Sequence, residues 1–205
     1  MKNINQQELA HPWHGVSIGE NAPHEVYAFI EITPSDTIKY EIEKESGLMM
    51  IDRPQKYSNV VPALYGFVPK TYCGEKIAQY GKEHGMQVEK GDGDPLDILV
   101  LSSHPISKNG ILVKAIPIGG IALEDGLEAD DKIIAVLKED PIYSNYKNIE
   151  DLPKAILEKI THYFLTYKNL PEETSVCKIS RVYDSETAKI VIEKASQDYQ
   201  TLISN

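Results

Sequence analysis

Glu25 to Glu43 reads EVYAFIEITPSDTIKYEIE, and apolar residues alternate with other residues in both halves of this stretch. A period of two is typical of β-strands, and Pro34-Ser35-Asp36 between the halves predicts a turn. We therefore expect two neighbouring antiparallel strands, over Glu25–Thr33 and Ile38–Glu43. Their half-exposed face is expected to carry Glu31, Lys39 and Glu41.

The rest of the first two thirds also predicts short strands, because apolar runs are separated by Gly, Pro and Asn. These runs are Leu48–Asp52, Leu96–Leu101, Ile111–Ile116 and Lys132–Leu137. Many short strands with tight turns favour a small barrel or a strongly curled sheet.

The last third has a different periodicity. Apolar residues recur there at three- and four-residue spacing, which predicts amphipathic helices. The first helix is expected to begin with Asp151 as its N-cap and to end at Asn169–Pro171. The second is expected to cover Ser185–Ile203.

The charge of the chain excludes several classes of protein. Its 205 residues include 31 Asp and Glu against 21 Lys and Arg, a formal net charge of −10 at pH 7. Nucleic acids and anionic membranes attract basic faces, so neither is an expected partner. No apolar run approaches the roughly 18 residues that span a bilayer, and no signal-peptide core is expected at the N-terminus. Cys73 and Cys177 lie far apart without a CxxC pair, which favours reduced thiols and a cytoplasmic protein.

Three carboxylates lie close together in the stretch Gly91–Asp97, GDGDPLD. Asp92, Asp94 and Asp97 repel each other unless a cation lies between them, and hard divalent cations prefer carboxylate oxygens. An EF-hand calcium loop is excluded, because its sixth position would be Asp97 instead of Gly and its twelfth Ser103 instead of Glu. An acidic solvated turn remains the alternative.

A second acidic run, Glu124–Lys132, leads directly into the predicted strand KIIAVL. In an extended chain Asp130 and Lys132 point to the same side, and Asp131 points away. Such a run by itself is more often a solvated loop. Next to the first cluster, it would place a metal ligand beside an anion ligand.

Three further cations could complete an anion site. They are Lys39, Arg53 and Lys168, and Arg53 is one of only two arginines in the chain. The structural alternative for Lys39 is a surface ion pair across two strands, and for Lys168 a favourable interaction with a helix dipole.

Together these residues resemble the family I soluble inorganic pyrophosphatases. The strongest element is DGDPLD at 92–97, which matches the family's pattern D-[SGDN]-D-P-x-D. The supporting elements follow in the family's order: IEI at 30–32, IKYEIEKESG at 38–47, DRP at 52–54, LYGFVPKT at 64–71, EADDKIIAV at 128–136 and HYFLTYK at 162–168. The resemblance covers roughly residues 25 to 170.

The resemblance implies a mainly β fold with flanking α, an OB-like closed β-barrel packed against two amphipathic C-terminal helices. It also implies hydrolysis of inorganic diphosphate to two orthophosphates by a metal-activated water, without a phosphoenzyme intermediate. The implied cofactor is Mg²⁺, with Mn²⁺ as an alternative. Besides diphosphate as substrate, the implied partner is a second copy of the chain, in a homo-oligomer that is a hexamer or a dimer.

The family's functional residues match thirteen positions of this sequence. Asp94 matches the general base. The metal ligands match Asp92, Asp97, Asp130, Asp125 and Glu31. The substrate ligands match Lys39, Arg53, Tyr65, Lys132, Tyr167 and Lys168, and Glu41 matches a supporting acid.

The chain is expected to form one domain over residues 1–205, with an N-terminal arm over about 1–24. It departs from the family at Val61, where Tyr is usual, and at Gly126, where some relatives carry Glu. It is also longer than compact bacterial members over about residues 73–90. This polar, Gly-rich insertion is expected to be a mobile loop that borders the site or an oligomer contact.

Two other functions compete with this interpretation. A non-catalytic OB-type module for anions or oligonucleotides would carry basic residues interleaved with aromatics, which the net charge of −10 opposes. A different metal-dependent phosphohydrolase, acting on nucleotides or polyphosphate, would share the acidic clusters. Phosphate release from several substrates distinguishes the three functions.

Overall fold

In the computed structural model of the chain, residues 11–168 and 176–204 are described, and they form a mainly β fold with three α-helices. The strands are β1 (Val26–Ile32), β2 (Ile38–Ile42), β3 (Met49–Pro54), β4 (Leu64–Phe67), β5 (Lys90–Gly91), β6 (Asp97–Leu101), β7 (Ile111–Asp125), β8 (Glu128–Ala129), β9 (Lys132–Leu137) and β10 (Cys177–Asp184). The helices are α1 (Glu75–Glu83), α2 (Lys154–Thr166) and α3 (Ser185–Ser204).

Eight strands form one sheet, in the order β1-β4-β6-β9-β7-β8-β5, and β10 pairs with β7. Strand β7 also pairs with β1. Strands β2 and β3 form a separate two-stranded sheet, which we call the β2–β3 hairpin. The prediction that β1 and β2 are neighbouring strands is therefore wrong. Both edges of β1 are already occupied by β4 and β7, which leaves no free edge for β2.

The apolar alternation of β1 correctly predicts its core face. Val26, Ala28 and Ile30 are almost completely buried within the larger core cluster. The other face is less exposed than expected, because Glu31 is also buried. Strand β7 continues to Asp125, well beyond the predicted end at Ile116, so part of the second acidic run lies within a strand.

The last third of the chain contains a strand that its helical periodicity does not predict. Strand β10 lies between α2 and α3 and pairs antiparallel with β7. Helix α2 begins at Lys154 after Pro153, so the N-cap role predicted for Asp151 is wrong. Asp151 instead closes a short 3₁₀ turn and accepts hydrogen bonds from two preceding backbone amides. The predicted helix end at Asn169–Pro171 lies outside the described residues.

The predicted insertion over residues 73–90 is ordered, and the expectation of a mobile loop is wrong. It contains α1, and its apolar side chains belong to the larger core cluster. Ile77 is 1% exposed and Met86 is 5% exposed. Burial of these side chains stabilises the segment more than its polar composition suggests.

The N-terminus of α1 is held by a carboxylate from another helix. Asp198 of α3 is buried and accepts hydrogen bonds from the backbone N–H groups of Gly74, Lys76 and Ile77, at 3.0 to 3.1 Å. We expect Asp198→Ala to lower the free energy of unfolding by about 2–4 kcal/mol, because several buried N–H groups lose their acceptor. Urea denaturation measures this change.

Asp198→Asn is the matched variant, since it keeps one acceptor oxygen and the shape of the side chain. Its loss of stability is expected to be about half that of Asp198→Ala. Equal urea midpoints for Asp198→Ala and the unsubstituted chain would contradict a capping role.

None of the helices in the described part of the chain is both long and apolar enough to cross a bilayer.

Candidate active site

Two parallel strand pairs bring the acidic clusters together. Gly91 of β5 lies opposite Ala129 of β8, so the residues that follow, Asp92 and Asp130, leave the sheet side by side. Asp97 of β6 lies directly opposite Lys132 of β9. Because residues in one register position share a face of a sheet, both clusters point to the same place. The structure therefore brings Asp92, Asp97 and Asp130 together, and their role as metal ligands stays a prediction.

Glycine makes the first acidic loop sterically possible. A Cβ atom on Gly91 would lie 2.1 Å from the carbonyl oxygen of Cys73, so no side chain fits there. Gly93 has a φ of 78°, a conformation that favours glycine. The Asp94 amide donates to Asp92 Oδ1 at 3.0 Å, and the Asp94 carbonyl accepts from the Cys73 amide at 2.8 Å. The backbone of the loop is therefore fixed while the side chain of Asp94 remains about half exposed.

Lys132 lies at the centre of the carboxylates. It is 2% exposed, and its Nζ donates to both Asp97 and Asp130. The hydroxyl of Tyr65 donates to the same carboxylate oxygen of Asp97 at 2.5 Å. As predicted, Asp130 and Lys132 share a face. Asp131 points away and accepts a buried hydrogen bond from the hydroxyl of Tyr183 at 2.9 Å.

Burial and charge change the protonation behaviour of this cluster. Burial raises the pKa of Asp92 well above its ordinary value, and the neighbouring Asp130 carboxylate raises it further. Burial would also raise the pKa of Asp130, but the charge and hydrogen bond of Lys132, together with the hydrogen bond to Asp92, lower that pKa overall. Burial would lower the pKa of Lys132, but Asp130 and Asp97 raise it well above its usual range. Lys132 therefore stays charged and keeps its carboxylates partly neutralised.

The β2–β3 hairpin contributes the next group of cations. Lys39 and Arg53 lie opposite each other in its register. Lys39 Nζ donates to Glu41 at 2.7 Å and to Asp52 at 2.8 Å, and Arg53 also donates to Asp52. Glu31 of β1 reaches the hairpin and accepts from the Ile42 amide at 2.8 Å. Its burial raises the pKa of Glu31 to about 8.

The C-terminal end of α2 supplies the last predicted residues. Lys168 forms an ion pair with Asp125 at the end of β7, and its Nζ lies 5.4 Å from the centroid of the Tyr167 ring. Burial would lower the pKa of Lys168, but Tyr167 and Asp125 raise it. In the structure this lysine is paired with the Asp125 carboxylate, whereas the structural alternative suggested by the sequence is an interaction with the helix dipole.

All thirteen predicted residues line two adjoining cavities, which we call the acidic cleft. Eleven line a cavity of about 230 Å³, and Glu31 and Glu41 line a neighbouring one of about 110 Å³. The two cavities share Lys39, Tyr65, Asp94 and Asp97. A larger cavity of about 630 Å³ lies elsewhere, between α2 and the ends of β4 and β6, and has a mainly apolar lining. The chemistry of the lining, and not the volume, identifies the site.

Several side chains at the cleft are absent from the sequence prediction. Lys44 forms an ion pair with Asp94, and Asp52 pairs with both hairpin cations. Gln55 and Tyr163 line the larger of the two cavities. Asp52 is the first residue of the motif DRP and Gln55 follows it directly, so the motif could have suggested both. Lys44 and Tyr163 also lie within quoted motifs, IKYEIEKESG at 38–47 and HYFLTYK at 162–168, but only the tertiary structure shows that they reach the cleft.

The donor set of the cleft fits hard divalent cations. Among residues 11–168 and 176–204, no three His, Cys, Asp or Glu side chains already surround one point as metal ligands do, and Lys132 provides the positive charge between Asp97 and Asp130. Asp92 nevertheless lies within hydrogen-bonding reach of Asp130 although both are acidic. A divalent cation relieves such repulsion, and carboxylate oxygens are the ligands that Mg²⁺ prefers.

Carboxylates and cations in one cleft are typical of proteins that bind a phosphate-like anion together with metal ions. The family model "Inorganic pyrophosphatase" matches residues 28–200. The chain belongs to this family, in the family I branch. Its members are hydrolases.

Individual relatives agree with this assignment. The inorganic pyrophosphatase of Chlamydia trachomatis serovar D is 46% identical over 200 residues, which cover 95% of this chain and 96% of that protein. Soluble inorganic pyrophosphatase 1 of Arabidopsis thaliana is 36% identical, over 95% of this chain and 82% of that protein. The solved pyrophosphatase of Helicobacter pylori is 37% identical, with a TM-score of 0.74 over 90% of this chain and 98% of that one.

Proposed function

We propose that the chain hydrolyses inorganic diphosphate to two orthophosphates through a metal-activated water, without a phosphoenzyme intermediate. The observation that carries this proposal is the cluster of Asp92, Asp97 and Asp130 around Lys132 in a cleft also lined by Lys39 and Arg53. Family membership supports the same substrate.

Two groups of carboxylates would hold Mg²⁺, or Mn²⁺ in its place. Asp92, Asp97 and Asp130 would be the main ligands, and Asp125 and Glu31 would hold ions that arrive with the substrate. When bound, these ions supply positive charge and lower the pKa of a coordinated water. Metal binding also explains how a chain of net charge −10 can bind a polyanion.

The side chains of the protein then carry out the remaining steps. Asp94 has a half-exposed carboxylate at the rim shared by both cavities, and it accepts the proton of the attacking water. Arg53 offers a guanidinium fork to the phosphates, and the ammonium groups of Lys39, Lys132 and Lys168 add point charges. Tyr167 donates a hydroxyl hydrogen bond, Tyr65 does so when its hydrogen turns from Asp97 to the substrate, and Glu41 holds Lys39 in place.

The proposal extends to the organisation of the protein. The β1-β4-β6-β9-β7 strands, with the β7–β1 pairing, support an OB-like closed barrel within one domain over residues 1–205. A homo-oligomer, either hexamer or dimer, and a cytoplasmic location follow from the family resemblance. A mass measurement in solution tests the oligomeric state.

A phosphate-release assay with and without Mg²⁺ tests the function. We expect release from diphosphate to require the metal and to exceed release from ATP or tripolyphosphate by at least about tenfold. An enzyme with a nucleotide or polyphosphate substrate would show the reverse preference. Absence of release from all three substrates, with metal present, would favour a non-catalytic anion-binding module.

A further inference from the structure

The β2–β3 hairpin has no backbone ladder to the main sheet, although it carries Lys39 and Arg53 into the cleft. An isolated two-stranded hairpin is marginally stable in water. Contacts with the rest of the protein must therefore fix its position. The position matters, because a displacement of about 1 Å in a substrate-binding group is enough to weaken binding.

One of these contacts comes from the segment His11–Gly15, which we call the N-terminal strap. His11 Nε2 lies 3.0 Å from the carbonyl oxygen of Lys44, in the turn of the hairpin. The imidazole also covers Gly47 of the same turn, where a Cβ atom would lie 2.9 Å from His11 Cγ. The Nζ of Lys44 forms a half-exposed ion pair with Asp94, so the turn held by the strap lies at the rim of the cleft.

The hydrogen bonds of His11 define its tautomer. Its Nδ1 accepts from the backbone amides of Trp13 and His14, both at 3.2 Å. The hydrogen must therefore be on Nε2, which donates it to the Lys44 carbonyl. The side chain is 6% exposed, so this donor has little access to water as a competing partner.

The strap is itself anchored to the body of the protein. Trp13 Nε1 donates to the carbonyl of Thr71 at 2.7 Å, and Trp13 is buried in a cluster with Ile42 of the hairpin and Tyr199 of α3. His14 Nδ1 lies 2.8 Å from the hydroxyl of Tyr199. The strap therefore connects the β2–β3 hairpin to α3 and the loop after β4.

We propose that His11 is a positioning residue for substrate binding, which fixes the β2–β3 hairpin over the cleft through its bond to the Lys44 carbonyl. This inference rests on the proposed function of Lys39 and Arg53. It predicts that loss of the bond weakens diphosphate binding and leaves the chemical step nearly unchanged, because no reacting group is altered.

Two substitutions separate the roles of the two ring nitrogens. His11→Asn keeps an acceptor in the place of Nδ1 for the following amides but lacks the reach of Nε2. His11→Gln places an amide donor where Nε2 lies, but it loses the acceptor that Nδ1 provides for the Trp13 and His14 amides. We expect His11→Asn to raise KM for diphosphate about three- to tenfold with kcat changed less than about twofold, and His11→Gln to raise it less. If His11 acts only within the strap, as acceptor for the Trp13 and His14 amides, His11→Gln will raise KM more than His11→Asn does. That result would overturn the inference.

Backbone hydrogen exchange gives a readout that does not depend on activity. In His11→Asn the amides of β2 and β3 are expected to exchange about three- to tenfold faster, while those of β6 and β9 keep their rates. Unchanged exchange in the hairpin would overturn the inference. Arg53→Ala is the reference for the proposed function. If it fails to raise KM, the role of the hairpin in binding is wrong, and the exchange data still decide whether the strap holds it.

Discussion

Asp94→Asn is expected to lower kcat about 10²- to 10⁴-fold while the protein still folds and binds Mg²⁺. Asn has the shape of Asp but cannot accept the proton of the attacking water. The backbone contacts that fix Asp94 do not involve its side chain, since its amide bonds Asp92 and its carbonyl bonds Cys73. The side chain is about half exposed, so loss of its charge has little effect on stability.

Glu158→Gln is the control for this experiment. It also removes a carboxylate from an exposed ion pair, the one with Lys154 at 3.0 Å on α2, but lies outside the cleft. Its kcat is expected to match that of the unsubstituted chain. A full rate in Asp94→Asn would remove Asp94 as the general base. Lost activity together with an altered circular dichroism spectrum would show misfolding instead.

The chemistry of the site is predictable from sequence because it is encoded in short local patterns. The loop GDGDPLD sets three carboxylates at fixed spacing, and extended geometry places Asp130 and Lys132 on one face. The meeting of the two clusters depends on the β5–β8 and β6–β9 pairings, which join residues about 35 positions apart. Spacing alone does not specify such a register, and the family resemblance supplied it.

The errors in the predicted fold also arise because strand pairing depends on contacts between residues that are far apart in the sequence. The pairing of β1 with β7 and β4, instead of β2, depends on long-range contacts that alternation does not encode. Strand β10 is an edge strand with a half-exposed pattern, which gives a weak signal. In α1 the buried residues Ile77, Ala78 and Gly81 follow a helical stripe, so this helix could have been recognised inside the polar insertion.

The position of the hairpin also depends on long-range contacts. The motif IKYEIEKESG identifies Lys39 and Glu41 as site residues, but nothing local shows that Glu31 accepts from the Ile42 amide. Burial of Glu31 against the hairpin raises its pKa to about 8, which no sequence pattern indicates.

Lys132→Met is expected to affect both stability and activity, because it removes an ammonium group that contacts both Asp97 and Asp130. Met has nearly the same volume, so the change leaves the buried carboxylates without their ammonium partner and does not create a large cavity. Without Mg²⁺ we expect the free energy of unfolding to fall by about 3–5 kcal/mol. In the assay, KM for diphosphate is expected to rise and kcat to fall by about 10²- to 10³-fold, as a charge that stabilises the phosphates is lost.

Added Mg²⁺ distinguishes this explanation from a packing defect. Divalent cations bound by the same carboxylates would replace the missing charge, so the stability difference between Lys132→Met and the unsubstituted chain should shrink as Mg²⁺ is titrated into the urea denaturation. Lys138→Met, which breaks the surface ion pair with Glu25 at 2.7 Å, is the control, with an expected change below about 1 kcal/mol and no dependence on Mg²⁺. If the stability lost in Lys132→Met stays constant across the titration, Mg²⁺ does not bind close enough to Asp97 and Asp130 to replace the lost charge. The proposed metal site would then be wrong.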